Sequence, residues 1–205
     1  SHGHTALYCL DNQPIVDELA RHAVTLGTKK VQTFGTHPNA TISYGPYSVT
    51  TTGTVFEFTL DKKNLSLTLP GFVVPEAYRE VCAAAILTAR AVGVEPDSAI
   101  RNLMNNFTLP PGRSTVLQGI NGSTIIDSTY NASPEAMRTF LHLLTTLDPT
   151  HARPRVFLCG DMRELGEHSA REHEALATLL PGIADYVYGV GTETKQHIIT
   201  YLERT

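Results

Sequence analysis

The chain has 205 residues, of which 41% are hydrophobic and 18% charged, with a formal net charge of −4 and a pI of about 6.1. This length and composition predict one large or two small globular domains and argue against intrinsic disorder. The acidic balance argues against a nucleic-acid-binding surface, which normally carries a basic excess.

The first 35 residues show a strand, helix and strand pattern. The apolar run "TALYCL" at 5–10 predicts a buried strand, and residues 14–27 have apolar side chains near helical spacing, with Gly27 as the expected stop. Residues 29–35 predict the next strand. A β-α-β order implies that the two strands pair in parallel.

A different pattern follows at residues 40–71, which alternate Thr, Ser, Val and aromatic residues and are interrupted by glycine and proline. This pattern predicts two or three antiparallel strands, with "DKKN" at 61–64 as a hairpin turn. Residues 75–94 and 95–107 then predict two helices, the second capped by Asp97 or Ser98.

The segment "TLPPGRS" at 108–114 predicts a domain boundary, because two prolines and a glycine fall within seven residues. Beyond it, Asn121-Gly122 is a strong hairpin signal. Strands and helices then alternate, which predicts a second, Rossmann-like parallel sheet. The expected strands are residues 123–127, 154–160 and 185–191, and the expected helices are Pro134–Leu147 and 168–180.

The loop "DSTYNASPEAM" at 127–137 holds more polar groups than a plain turn needs. Asp127 ends a predicted parallel strand, where ligands bind in open α/β sheets. Its carboxylate could accept hydrogen bonds from a ribose diol, and Tyr130 and Asn131 could pack on a nucleotide. A structural interpretation stays open, in which Asp127 serves the turn, Asn131 or Ser133 caps the helix and Tyr130 covers the core.

A second polar loop, "GDMRELGEH" at 160–168, follows the next predicted strand. Gly160 permits a tight exit from the strand. Asp161, Glu164 and His168 precede a helix whose N-terminal dipole favours negative charge. Two neighbouring strands therefore carry elaborate polar loops at the same expected sheet edge, which favours a binding site there.

The two loops together resemble the C-terminal domain of the Mur ligase family, in the segments "STIIDSTYNASPEAM" and "RVFLCGDMRELGEHSAREH". These ATP-dependent enzymes add amino acids to the peptidoglycan precursor. "LPPGRSTVL" resembles the family's domain junction, and "FVVPEAYREVCAAAILTARAVGVEPDSAI" resembles the last helices of its central ATPase domain. The resemblance implies an α/β fold in which residues 1–111 are the back portion of a central ATPase domain and 112–205 a Rossmann-like ligase domain.

Within the family, the Asp-x-x-Tyr-Asn-Ala-x-Pro form with Gly-Asp-Met-x-Glu-Leu-Gly most resembles the members that add D-alanyl-D-alanine to a UDP-N-acetylmuramoyl-tripeptide. The resemblance implies that ATP phosphorylates a carboxylate and that the incoming amine attacks the acyl phosphate. ATP and Mg²⁺ are the cofactors expected in the complete enzyme, and a UDP-muramoyl-peptide and D-alanyl-D-alanine are its expected small-molecule partners.

The resemblance also implies roles for individual side chains. Arg113 meets phosphate, which suits the planar guanidinium, Asp127 meets ribose, and Tyr130 and Asn131 flank the nucleotide. The residues expected to contact the incoming substrate are Asp161, Glu164 and His168. No catalytic residue and no metal ligand is predicted, and the nine histidines are not spaced as a metal site.

The sequence departs from the family in two motifs. No G-x-x-x-x-G-K-[ST] phosphate loop is present, and Val73-Val74 stands where the family usually has His-Asn. The chain is therefore expected to be an interior or truncated piece that is inactive alone. Two alternatives stay open: a non-catalytic nucleotide- or peptide-binding module, and another ligase of the superfamily, of the cyanophycin or folylpolyglutamate synthetase type.

The cellular setting is inferred from composition. Cys9, Cys82 and Cys159 are scattered singly, which predicts reduced, buried thiols. No run approaches the roughly 20 apolar residues of a membrane span. We therefore expect a cytoplasmic protein without membrane insertion.

Overall fold

The computed structural model describes residues 5–21 and 30–204. The chain divides into two compact units, Ser1–Thr108 and Leu109–Thr205. The division lies within the predicted Pro-Pro-Gly boundary segment, a few residues before the expected domain start at 112. Gly27, the expected end of the first helix, lies outside the described residues.

The first unit contains one five-stranded sheet with the strand order β1-β2-β3-β4-β5. The strands are β1 Thr5–Cys9, β2 Lys30–Gly35, β3 Ile42–Thr50, β4 Gly53–Leu60 and β5 Lys63–Pro70. β1, β2 and β3 pair in parallel, and β3, β4 and β5 pair antiparallel. Both the parallel pair and the antiparallel strands predicted from the sequence are confirmed.

The described part of the first unit also contains helices α1 Gln13–Arg21, α2 Tyr78–Ala91 and α3 Pro96–Asn106. α2 contacts β1, β2 and β3, and α3 contacts β5. The inward side chains of β4 and β5, such as Phe56 and Leu67, are almost wholly buried. The predicted cap of α3 is wrong: the helix begins at Pro96 with Glu95 as its N-cap, because proline fits the first helical position.

The second unit begins with a hairpin of β6 Thr115–Gln118 and β7 Thr124–Asp127. The five-residue connection 119–123 contains a turn with positive φ at both central residues, 54° at Asn121 and 74° at Gly122, as a type I′ turn requires. The other elements are α4 Pro134–Leu147, β8 Val156–Gly160, α5 Ser169–Leu179, β9 Tyr186–Val190, and a π-helical segment Thr194–Ile199 that continues into α6 Thr200–Leu202.

The prediction of three parallel strands in the second unit is only partly correct. β8 and β9 pair in parallel, as expected. β7 instead pairs antiparallel with β6 along its whole length, and no ladder joins it to β8 within the described residues. The short turn around Asn121-Gly122 accounts for the pairing of β6 with one edge of β7, and the other edge has no ladder among the described residues.

One face of the β8–β9 pair forms the core of the second unit. Phe157 and Cys159 point into it and pack with Leu141 of α4, Leu176 of α5 and Ile198. The three cysteines are free and buried, as the sequence predicted. In the described part of the chain, no helix has the length and apolar character that crossing a membrane requires.

Candidate functional site

The structure brings Arg113 and Tyr130 together in the second unit. The Tyr130 backbone N–H donates to the Gly112 carbonyl at 3.1 Å, which ties the loop before β6 to the loop after β7. The Arg113 guanidinium lies over the Tyr130 ring, 4.1 Å from its centroid. A Cβ on Gly112, whose φ is +74°, would lie 3.1 Å from the Tyr130 nitrogen, so glycine suits this close approach.

Asp127 lies at the end of β7 and is half-buried. Its Oδ1 accepts hydrogen bonds from the Thr129 backbone N–H at 3.0 Å and from the Thr129 hydroxyl at 2.7 Å. Among the described residues, no hydrogen bond reaches Oδ2. The turn therefore uses one carboxylate oxygen, and the other is available to a ligand.

The side chains that follow Asp127 differ in role: one caps the next helix, and others are exposed to solvent. Ser133 is the N-cap of α4, since its Oγ accepts from the Ala136 N–H at 3.2 Å. Asn131 is exposed and takes no part in that cap. Tyr130 is 65% exposed, so the structural interpretation in which its ring covers core does not hold.

Ser114 is a feature of this site that sequence reasoning missed. Its φ is +55°, which is unusual for a residue with a Cβ, and it is only 2% exposed. Its Oγ is buried without a hydrogen-bond partner. Backbone strain and an unsatisfied polar atom beside Arg113 are typical of functional loops. The positive φ of Ser114 could not be predicted from the sequence, because serine is not a residue type that favours this conformation.

The second candidate site is a cleft of about 590 Å³ at the loop after β8. Its lining consists of residues 161–167, Ser169, Ala170, Glu193 and His197. Predicted substrate residues Asp161 and Glu164 line it, whereas His168 does not and lies in the adjoining turn. The volume lies within the range of small-molecule sites.

The Asp161 carboxylate is bonded to backbone. It accepts from the Thr192 N–H at 3.0 Å and the Thr194 N–H at 2.8 Å, at the start of the helical segment after β9. A Cβ on Gly191 would lie 2.3 Å from this carboxyl group, so glycine is required there. Burial opposes ionisation of the carboxyl, but the backbone donors outweigh it and lower the pKa of Asp161.

Two neighbours of Asp161 present charge to the cleft. Glu164 has a φ of +64°, a strained conformation that turns the loop sharply. Arg163 is exposed, and its guanidinium makes no ion pair or hydrogen bond with any described residue. Arg163 was not predicted as a site residue, because one arginine between methionine and glutamate is not a recognisable motif.

His173 is a second missed residue and is completely buried on α5. Its Nε2 accepts from the Met162 N–H at 3.0 Å, so Nδ1 carries the proton and donates to the Ser169 carbonyl at 2.8 Å. The ring thereby fastens the cleft loop to the helix. The signal was available, since His173 shares a helix face with Leu176 and Ala177.

In the first unit, Val73 and Val74 are wholly buried. The Thr54 hydroxyl accepts from the Val74 N–H at 3.1 Å, and the Tyr47 hydroxyl donates to the Val74 carbonyl at 2.8 Å. These valines are core residues and present no polar side chain. Residues 5–21 and 30–204 contain no group of three or more His, Cys, Asp or Glu placed to hold a metal ion.

Residues 112–204 match the Mur ligase, glutamate ligase domain family. The UDP-N-acetylmuramoyl-tripeptide–D-alanyl-D-alanine ligase of Mycobacterium tuberculosis is 32% identical over 99 residues, which are 45% of this chain and 19% of that protein. The ligase of the same name from Rickettsia prowazekii is 28% identical over 140 residues, 68% of this chain and 30% of that protein.

Among solved structures, the MurF ligase from Thermotoga maritima in complex with ADP superposes with a TM-score of 0.76 at 26% identity. The match covers 96% of this chain and 43% of that one. The chain thus spans less than a third of the length of these curated relatives and less than half of the solved one. The α/β architecture is that of Mur-type domains.

Proposed function

We propose that the chain is part of an ATP-dependent ligase that joins D-alanyl-D-alanine to UDP-N-acetylmuramoyl-tripeptide, and the match of residues 112–204 to the Mur ligase, glutamate ligase domain family supports this proposal. The names of the relatives support this reaction, and the ADP in a solved relative supports ATP as the cofactor. The observation that carries the proposal is the cluster of Arg113, Tyr130 and the Asp127 carboxylate in one unit.

The side chains of this cluster fit a nucleotide. The Arg113 guanidinium has no ion-pair partner among the described residues and would hold phosphate, which matches its planar donor geometry. Asp127 Oδ2 would accept hydrogen bonds from ribose hydroxyls. The exposed Tyr130 ring and Asn131 would flank the base. When bound, ATP supplies the phosphoryl group that activates the tripeptide carboxylate, and Mg²⁺ would accompany its phosphates.

The second cleft fits the incoming dipeptide. D-Alanyl-D-alanine carries a carboxylate and an ammonium group, so its site needs both signs of charge. Arg163 would bind the carboxylate, and Glu164 and Glu167 would bind the ammonium group. Asp161 shapes the wall through its backbone bonds, and His168 would contribute from the adjoining turn.

The same proposal places the enzyme in the cytoplasm. ATP and UDP-linked precursors are cytoplasmic metabolites, and three free, buried thiols suit a reducing compartment. The muramoyl-peptide contacts are assigned to parts of the longer enzyme, since no residue of this chain is identified for them.

Replacing Asp127 with asparagine tests the nucleotide site. Asparagine keeps an oxygen for the Thr129 donors, so the melting temperature should hold. It loses the charge toward ribose, where a charge-assisted hydrogen bond is worth about 1.5–3 kcal/mol against about 1 for a neutral one. Affinity for ADP, measured by titration calorimetry, should fall roughly tenfold, since 1.4 kcal/mol is a factor of ten.

The control is Asp97→Asn, which removes a surface carboxylate paired with Lys63 and should leave ADP affinity unchanged. Equal ADP affinity of wild type and Asp127→Asn, with both melts intact, would assign Asp127 to the turn alone. The ligase reaction itself is tested in the longer protein that contains these residues, as phosphate release from ATP that requires both the muramoyl-tripeptide and D-alanyl-D-alanine. Binding without that reaction would favour the non-catalytic module.

A further inference from the structure

The face of the Tyr130 ring is already occupied in this structure. The Arg113 guanidinium lies 4.1 Å from the centroid of the Tyr130 ring, although Tyr130 as a whole is 65% exposed. Among the described residues, the guanidinium has no carboxylate or carbonyl partner that would hold it elsewhere. A guanidinium over a tyrosine ring is attracted by the negative charge of the ring face.

A backbone hydrogen bond holds the two residues close together. The Tyr130 N–H bonds to the Gly112 carbonyl, and Gly112 immediately precedes Arg113. A Cβ on Gly112 would make a tight contact of 3.1 Å with the Tyr130 nitrogen. Because the two loops are joined next to both side chains, the guanidinium and the ring are held within reach of each other.

We propose that Arg113 and Tyr130 form a selectivity device, in which the guanidinium and a nucleotide base compete for one face of the Tyr130 ring. The inference rests on the proposed nucleotide site. A ligand with phosphates gives the displaced guanidinium a new anionic partner. A nucleoside without phosphate displaces it and offers nothing in return. The pair thus weakens the binding of adenosine outright, whereas ADP or ATP recovers the cost of displacement through its phosphate contact with Arg113.

Arg113→Ala separates the two effects, because it should change affinity for adenosine and for ADP in opposite directions. The uniformly ¹⁵N-labelled 205-residue chain is titrated with each ligand, and dissociation constants are read from amide chemical shifts, which detect weak binding. Adenosine should bind about two- to fivefold more tightly to the variant, which corresponds to the 0.5–1 kcal/mol of an exposed cation–π contact. ADP should bind more weakly.

Two further variants serve as controls. Arg138→Ala removes an arginine of the same unit that lies near Glu135 and Glu172, and it should leave both affinities unchanged. Tyr130→Phe keeps an aromatic face for the guanidinium, so the ranking of ADP over adenosine should persist. Thermal melts of all variants establish that each is folded.

The outcomes separate a failure of the proposed competition from a failure of the proposed nucleotide site. Unchanged or weaker adenosine binding to Arg113→Ala, with weaker ADP binding, would overturn the competition and leave Arg113 as a phosphate contact only. Tighter adenosine binding also to Arg138→Ala would show a general charge effect and overturn it as well. If neither ligand shifts any amide of the wild type near residues 112–131, the nucleotide site itself is refuted.

Discussion

Asp161 offers a sharp test of how the cleft is held together. Its carboxylate joins the end of β8 to the start of the helical segment after β9, through the N–H groups of Thr192 and Thr194. Two substitutions remove the hydrogen-bond acceptors of Asp161 to different extents. Asp161→Asn keeps one acceptor oxygen and removes the charge, whereas Asp161→Ala removes both acceptors.

The magnitude follows from the burial of the two donors. Thr194 is wholly buried, so its N–H cannot bond to water if the carboxylate is removed. Thr192 is exposed, so its N–H can be hydrated. A lost charge-assisted hydrogen bond costs about 1.5–3 kcal/mol. We expect Asp161→Ala to lower the free energy of unfolding by about 2–3 kcal/mol. Asp161→Asn should cost about 1 kcal/mol, because the lost charge lies beside a helix N-terminus.

The pH dependence has a definite sign. The pKa of Asp161 is lowered in the folded protein because backbone donors to the carboxylate outweigh its burial. The stabilisation is therefore fully present above the unfolded-state pKa of about 3.9 and is lost as the pH falls through the lower folded value. The difference between wild type and Asp161→Asn should be largest near neutrality and shrink below about pH 4.

Urea unfolding at pH 7 and at a series of acidic pH values measures these differences. For a unit of about 100 residues, the alanine variant should also melt roughly 10–20 °C lower. Glu167→Gln, which neutralises an exposed carboxylate on the same cleft, is the matched control and should unfold like wild type. An alanine variant as stable as wild type at pH 7 would refute the structural role of Asp161. A difference in the free energy of unfolding between wild type and variant that increases as the pH falls would refute it as well.

Two other predictions concern the same unit and the isolated chain. His173→Phe keeps a planar aromatic ring, somewhat larger than imidazole, but removes the nitrogens that bond to the Met162 N–H and the Ser169 carbonyl, so the free energy of unfolding should fall by about 2–4 kcal/mol in a urea titration. An unchanged midpoint would show that the ring only fills space. The 205-residue chain is expected to show no muramoyl-peptide-dependent ATPase, because its sequence has no G-x-x-x-x-G-K-[ST] loop. Substrate-dependent phosphate release above a no-enzyme control would contradict this.

Local signals accounted for most of the fold. The hairpin turns at Asp61-Lys62 and Asn121-Gly122 have positive φ at both central residues, and each lies where the sequence placed a turn. Such turns depend on a few neighbouring residues, so short motifs predict them. The parallel pairing of β1 with β2 follows similarly from the helix between them.

The pairing of β7 was harder to predict because the partner of its second edge would have to come from a distant part of the chain. The alternation of strands and helices after residue 114 favours a parallel partner for every strand, and β8 with β9 obeys it. The hairpin signal sets the partner on only one edge of β7, and no local sequence feature shows whether a distant strand pairs with the other edge. The α3 cap failed for a smaller reason: Pro96 set the helix start ahead of the better capping side chains.

The candidate site shows the same limit at the level of single atoms. Asp127 and Asp161 each lie at the end of a strand and were both expected to bind ligands. In the structure Asp127 gives one oxygen to its own turn, and Oδ2 meets no donor among the described residues, whereas both oxygens of Asp161 accept backbone N–H groups from a loop about 30 residues away. Only the fold brings that loop within reach. An aspartate with an open oxygen can recognise a ribose, and one with both oxygens bonded is better suited to positioning the residues beside it, such as Arg163 and Glu164.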